Sequence, residues 1–107
     1  MLTIVETPEF LSSTKKLIGE HELDSLKTLL AGNPLAGDVI EGTGGFRKIR
    51  VARADGGKSG GFRVIYYFYN ETIPLFLFLA YAKANQGTLT RAQKNALRNI
   101  ADTLASY

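Results

Sequence analysis

Three runs rich in β-branched and aromatic residues follow one another in the second half of the chain, at residues 46–53, 62–69 and 73–82. The glycine-rich segment ADGGKSGG lies between the first two runs, and Asn70-Glu71 lies between the second and the third. Connections this short favour antiparallel strands, because a parallel pair needs a crossover of about a dozen residues or more. The runs therefore predict an antiparallel sheet of three strands, with a short edge strand around Val39-Ile40 as a fourth.

Helical patterns lie on both sides of these runs in the sequence. After a first short strand at LTIVE, Thr7-Pro8-Glu9 supplies an N-cap residue, a proline at the first helical position and an early acid. This helix is expected to end near Gly19. A second helix is predicted from Glu20 to about Ala31, with Leu29 widening the buried stripe of leucines. Its predicted end coincides with a glycine and a proline that follow in the expected order.

A last helix is predicted from a capping box at Thr90-Arg91-Ala92-Gln93 to about Leu104. Its expected inward-facing residues include Ala96 and Leu97. The order of elements is then β-α-α-β-β-β-α. Strands in one run and helices in others indicate an α+β fold, with a small antiparallel β-sheet and the helices packed on one face. At 107 residues and 45% apolar content, residues 1–107 are expected to form one domain.

Several classes of function are poorly supported by the composition. The chain has no cysteine and one histidine, His21, so thiolate or histidine-based metal sites and a serine–histidine triad are not indicated. No P-loop, dinucleotide fingerprint or carboxylate pair is present. We therefore expect no cofactor and no metal. Since no apolar run approaches the roughly 20 residues of a membrane span, and no signal peptide is visible, a cytoplasmic location without a membrane partner is expected.

Positive charge is concentrated in one segment, residues 44–68. This segment has six basic residues and one acid, a balance of +5, whereas the remaining residues have seven basic and nine acidic groups, a balance of −2. A local field of this sign attracts polyanions, of which nucleic acid is the commonest. A solvated hairpin that carries its charge for solubility is the plainer interpretation, and the sequence leaves both open. The basic residues are Arg47, Lys48, Arg50, Arg53, Lys58 and Arg63.

Strand alternation sorts these cations into faces. In the first run Ile49 and Val51 share one face, and Lys48 and Arg50 share the other. If helices cover only one face of the sheet, the basic pair lies on the open face. Arg63 and Tyr67 of the returning strand have matching parity. The hairpin would thus form a two-dimensional cationic patch.

A set of lysine, arginine and tyrosine side chains can cleave RNA without a metal, because the ribose 2′-OH is a nucleophile within the substrate. Arginine can hold two phosphate oxygens at once and stays protonated. A lysine crowded by other cations can act as a base. Tyrosine can stack on an unpaired base or relay a proton. Each of these residue types also occurs in ordinary strands, so the chemistry depends on their being together.

The chain resembles the RelE/HigB group of bacterial toxins, within the RelE/ParE superfamily, in three blocks that follow one another in the order typical of the group. These are G-x-G-G-h-R-K-h-R-V at GTGGFRKIRV, G-G-x-R-h-h-Y-Y at GGFRVIYY, and Y-x-K at Tyr81–Lys83. The resemblance covers essentially the whole chain. It implies a toxin of a type II toxin–antitoxin module, neutralised by a cognate antitoxin with a helix-turn-helix domain. It also implies a metal-independent endoribonuclease that enters the ribosomal A site and cuts mRNA during translation.

By the same resemblance, Lys48 and Arg50 take base and phosphate-stabilising roles, and Arg63 binds the scissile phosphate. Lys83 matches the basic residue of the last strand, with Tyr81 two positions before it. The remaining candidates are RNA-binding residues, namely Arg47, Arg53, Lys58 and Tyr67.

Two departures from the family pattern leave the proton donor open. Some members have an arginine directly after the position of Lys83, where this chain has Ala84, and a tyrosine shortly beyond, which is also absent here. The candidates for the donor are Tyr81, Lys83 and Tyr67. Two other functions remain open as well. One is a ParE-like toxin of the same fold that binds DNA gyrase and has no nuclease activity, and the other is a non-catalytic RNA-binding domain.

Overall fold

The described part of the chain comprises residues 2–15, 18–52, 61–82 and 89–106 of a computed structural model, and it contains five strands and three helices. In chain order these are β1 (Ile4–Glu6), α1 (Pro8–Thr14), α2 (Glu20–Gly32), β2 (Asp38–Val39), β3 (Phe46–Val51), β4 (Phe62–Tyr67), β5 (Leu75–Ala82) and α3 (Arg91–Ala105). The predicted elements are all present, including the short edge strand. No helix in this part of the chain is long and apolar enough to cross a membrane.

The five strands form one sheet in the order β1-β5-β4-β3-β2. Strands β2 to β5 pair antiparallel, as the short connections predict, and the α+β class is confirmed. The prediction of a wholly antiparallel sheet is wrong, because β1 runs parallel to β5, with Ile4 opposite Leu75. No short turn joins these two strands, so the local rules that fix the direction of a hairpin do not apply to them.

Helices pack on both faces of the sheet, which corrects the expectation that they share one face. On the first face, Phe10 of α1 and Leu26 and Leu30 of α2 lie in one core cluster with the inward residues of the strands. On the second face, Leu97 and Ala101 of α3 lie in another. The side chains of β4 are buried on both faces of the sheet, so helices must pack against each face.

Helix α1 is fixed to β5 through side-chain hydrogen bonds. Thr7 caps the helix by accepting a bond from the Phe10 N–H at 3.1 Å, and its hydroxyl lies 3.0 Å from the Leu77 carbonyl oxygen. One helical turn later, the Ser13 hydroxyl accepts a bond from the Ala80 N–H at 2.9 Å. Since β1 reaches only to the partner of Leu77, α1 takes over this edge of β5 where β1 ends.

A β-bulge interrupts β5 beside this contact. Ile65 pairs with Leu79 and Tyr66 pairs with Leu77, so Phe78 is an extra residue with no partner of its own on β4. A bulge of this kind changes which face the following residues occupy. Leu75 and Leu77 belong to the first core cluster, whereas Tyr81, which has the same parity along the sequence, packs with the second.

Helix α3 covers only one end of the second face. It begins at the predicted capping box, in which Thr90 and Gln93 exchange bonds of 2.8 and 3.1 Å. Further along, it lies against the glycine turn that precedes β3. A Cβ on Gly44, which has a φ of +74°, would lie 3.1 Å from the Cβ of Ala101. The turn therefore permits a close approach of the helix to the start of β3.

Three details of the helix predictions are wrong. Helix α1 ends at Thr14 rather than near Gly19. Leu29 is 49% exposed and does not widen the buried stripe of α2. Ala96 is exposed on α3, because the narrow apolar stripe of that helix needs only Leu97 and Ala101 at its centre.

Candidate active site

Three strands contribute one residue each to a row that crosses the second face of the sheet. Arg50 of β3 lies opposite Arg63 of β4, and Arg63 lies opposite Tyr81 of β5. Side chains directly opposite in antiparallel strands have Cβ atoms about 5 Å apart. We call Arg50, Arg63 and Tyr81 the catalytic row, because catalytic roles are predicted for all three. Arg50 is exposed and the other two side chains are partly exposed, so the row is open to a ligand.

Lys48 lies in the next row of the same face, two residues before Arg50 on β3. Its neighbours in that row are Asp38 on β2 and Ile65 on β4. The side chain of Lys48 is exposed. The predicted face is thus confirmed in its geometry, since Lys48, Arg50 and Arg63 lie together and Ile49 and Val51 lie in the first core cluster.

The third row of this face is closed by α3. It contains Phe46 and Tyr67, which are directly opposite each other with ring centroids 5.1 Å apart. Both rings belong to the core cluster of α3. The face is therefore divided along the strands into a covered apolar end and an open cationic end.

Tyr67 does not lie on the surface, although its parity is as predicted. Its side chain is 2% exposed, and its hydroxyl donates a 3.5 Å hydrogen bond to the Ala101 carbonyl of α3. Burial raises the pKa of Tyr67, and the charges of Tyr69 and Asp102 add to this rise. The prediction that Tyr67 binds RNA is therefore wrong. It assumed that all helices pack on the first face, which would have left this end of the second face open to solvent.

Arg47 points to the opposite face from the catalytic row. Its guanidinium donates hydrogen bonds to the carbonyls of Gly37, at 2.7 Å, and Leu35, at 3.3 Å. The hydroxyl of Tyr66 holds the same loop by accepting from the Gly37 N–H at 2.8 Å and donating to the Pro34 carbonyl at 2.8 Å. Arg47 therefore binds the loop before β2, on the face opposite the catalytic row, and its role in RNA binding stays a prediction.

Tyr81 reaches the row because of the bulge in β5. The neighbouring Ala80 N–H donates a hydrogen bond to the Ser13 hydroxyl, which fixes the strand directly before Tyr81. Burial raises the pKa of Tyr81, and the positive charge of Arg63 opposes part of this rise. The phenol is therefore protonated at neutral pH, as a proton donor must be.

The remaining candidates, Lys83, Arg53 and Lys58, lie outside the described residues. Within the described residues, no group of three or more His, Cys, Asp or Glu side chains could hold a metal ion.

Sequence reasoning did not single out two features of this region. Asp38 of β2 lies directly opposite Lys48 of β3, and only the register of this two-residue strand reveals their proximity. A cationic stripe on α3 was also missed, although the letters RAQKNALR at its start carry the signal.

Comparison with known proteins agrees with this architecture. A solved structure of an arginine-to-alanine double mutant of the E. coli toxin RelE in the free state matches with a TM-score of 0.56, at 20% sequence identity, over 78% of this chain and 86% of that one. This likeness shows the fold. Residues 13–107 match the family described as the RelE toxin of the RelE/RelB toxin–antitoxin system. The chain therefore belongs to the RelE toxin family, and it is a toxin whose partner is an antitoxin.

Proposed function

We propose that this toxin is an endoribonuclease that cleaves mRNA on the translating ribosome, in the cytoplasm, and so inhibits translation. The observation that carries the proposal is the catalytic row, with Lys48 beside it, on the open end of the second face. Two guanidiniums, an amine and a protonated phenol together meet the needs of RNA transesterification. Membership of the RelE family supports the same activity.

The central position of Arg63 favours a role on the scissile phosphate. It has Arg50 on one side and Tyr81 on the other. Its guanidinium also makes a weak 3.4 Å hydrogen bond to the Phe62 carbonyl. Arg50 and Arg63 would hold the non-bridging oxygens, and they would stabilise the extra negative charge that develops on them in the transition state.

The proton transfers then fall to the two groups on either side of these arginines. The amine of Lys48 takes the proton of the 2′-OH as the 2′ oxygen attacks phosphorus. The bond from phosphorus to the 5′ oxygen breaks, and Tyr81 gives its proton to that oxygen. The products are a 2′,3′-cyclic phosphate and a 5′-hydroxyl end, so atoms and charge balance. Of the three candidate donors, Tyr81 is favoured because it lies in the row and is protonated at neutral pH.

The experiment is primer extension on a message translated in vitro, with the wild type, Arg63→Ala and the exposed-lysine control Lys15→Ala. We expect the wild type and the control to cut within codons at the A site. Arg63→Ala should lose at least about a hundredfold in cleavage rate, since it removes a donor to the developing charge. An unchanged rate in Arg63→Ala would contradict the assignment. An intact message with trapped gyrase–DNA complexes would replace it with the ParE-like function, and RNA binding without cuts would favour a non-catalytic domain.

The identity of the antitoxin is a separate part of the proposal. We propose that it carries a helix-turn-helix domain, as the resemblance to RelE/HigB toxins implies. An adjacent reading frame with the pattern of a helix-turn-helix would support this. Co-purification of its product with the toxin, and restored translation on its addition, would complete the test.

A further inference from the structure

The charged residues at the start of α3 are unfavourable for the stability of the helix. The N-terminal end of a helix is the positive end of its dipole, where acids stabilise and cations do not. Helices α1 and α2 follow this rule with Glu9, Glu20 and Glu22 in their first turns, whereas α3 has no acid there. It has Arg91 at its first position and Lys94 one turn later. Charges that oppose local stability in this way are expected at functional sites.

The cations of α3 lie on one side of the helix and line one cleft. Arg91, Lys94 and Arg98 are three and four residues apart, which places them in a single stripe. The cleft beside them has a volume of about 450 Å³ and is closed on the other side by Glu41 and Gly42 of the glycine turn. A Cβ on Gly42 would lie 3.5 Å from Lys94 Cδ, so the turn comes close to the stem of this lysine.

The chemistry of this surface fits RNA better than a protein partner. A protein partner is usually anchored by large apolar side chains. Among the described residues, the large apolar side chains that are most exposed lie on other elements and loops, not on α3: Leu11, Leu29, Leu35, Val39 and Tyr69. The exposed residues beside the cations of α3 include Gln93, Asn95 and Asn99, which can hydrogen-bond to sugars and phosphates.

The cleft also lies on the same side of the sheet as the catalytic row. Helix α3 covers the apolar end of the second face, and the row occupies the open end. We propose that Arg91, Lys94 and Arg98 form a second RNA-binding surface that takes the phosphate groups of RNA while the catalytic row acts on the message. This inference rests on the proposed function. It adds a contact that sets affinity and has no part in the chemical step.

Two charge-matched double variants test it. Arg91→Gln with Arg98→Gln removes two cations from the stripe, and Lys15→Gln with Lys27→Gln removes two elsewhere, at the C-cap of α1 and on α2, so each lowers the net charge from +3 to +1. Both double variants are made in the Arg63→Ala background. Their binding to two fluorescently labelled partners is measured by titration at several salt concentrations. One is a single-stranded RNA oligomer, and the other is the ribosome without mRNA. Cleavage of a translated message is measured separately with Arg63 intact.

We expect the α3 variant to bind RNA at least about tenfold more weakly than the control variant. The plot of the logarithm of the association constant against the logarithm of the salt concentration should become less steep. The magnitude of its slope should decrease by about 1.4 to 1.8, because two phosphate contacts are lost. In the cleavage assay, KM should rise while kcat is unchanged. Weaker binding confined to the oligomer would assign the surface to the message, and weaker binding confined to the ribosome would assign it to ribosomal RNA.

The inference is overturned if the α3 and control variants bind both partners equally well. It is also overturned if the α3 variant, titrated with the antitoxin as a third partner, loses affinity for the antitoxin alone, because the cleft then serves an acidic protein segment. Failure of the proposed function would look different. In that case the wild type itself would not cut mRNA, whatever the two double variants bind.

Discussion

At the scale of single residues, the proposed role of Tyr81 as the proton donor can be tested by one substitution. Tyr81→Phe keeps the ring and removes the hydroxyl. We expect kcat for mRNA cleavage to fall by about 10²- to 10⁴-fold, the usual contribution of a general acid, with little change in KM. Tyr69→Phe is the matched control, since Tyr69 is 55% exposed and lies beyond the end of β4. Full activity of Tyr81→Phe would transfer the role of donor to another group, with Lys83 the next candidate.

The sequence allowed some of these residues to be placed and not others. Lys48, Arg50 and Arg63 follow from alternation, because β3 and β4 pair without interruption through this hairpin. The face of Tyr81 does not follow, since strict alternation would put it with Leu77. The burial of Tyr67 could not be predicted either, because it depends on where α3 packs. Neither the bulge in β5 nor the packing position of α3 can be recognised from the local sequence pattern.

At the scale of elements, the hydroxyl of Thr7 is one of two that join α1 to β5. Thr7→Ala removes the N-cap of α1 and the bond to the Leu77 carbonyl. We expect the free energy of unfolding to fall by about 1–2 kcal/mol, the range for loss of a threonine cap. Urea denaturation should show a lower midpoint with an unchanged slope. Thr7→Ser, which keeps the hydroxyl, should remain close to the wild type, and equal losses in both variants would point to packing of the methyl group.

The elements themselves were largely predictable, and their assembly was less so. Caps at Thr7 and Thr90, together with the spacing of leucines, are local signals that fix where helices begin. The pairing of β1 with β5 joins residues about seventy positions apart. Its direction depends on the whole sheet, and no turn in the sequence encodes it.

At the scale of the whole molecule, buried tyrosines link stability to alkaline pH. Burial raises the pKa of Tyr66, Tyr67 and Tyr81 above that of a free tyrosine. Above pH about 10 the unfolded chain loses these protons while the folded chain keeps them, so unfolding is favoured. The stability that depends on the protonated hydroxyls is fully present below pH about 10, and it is lost as the pH rises from there through the higher pKa values of the folded state.

We predict that Tyr67→Phe makes this alkaline loss shallower. Its hydroxyl makes only a 3.5 Å hydrogen bond, so stability at pH 7 should change by no more than about 1 kcal/mol. Urea unfolding of the two proteins between pH 8 and pH 11 measures the difference. If both lose stability in parallel over this range, the ionisation of Tyr67 is not linked to folding.

The bulge at Phe78 has a consequence for how this fold tolerates changes in length. It separates β5 into two segments whose side chains alternate out of phase with each other. In the first segment, Leu75 and Leu77 face the core of α1 and α2. In the second segment, Tyr81 lies opposite Arg63. Loss of the Phe78 codon would restore an unbroken ladder and leave Tyr81 opposite Arg63. Loss of the Ala80 codon would instead put Tyr81 opposite Val64 and turn its phenol towards the core of α1 and α2. For this strand, the position of a one-residue deletion therefore decides its effect, because a deletion after the bulge would leave the strands paired and still remove the phenol from the candidate active site.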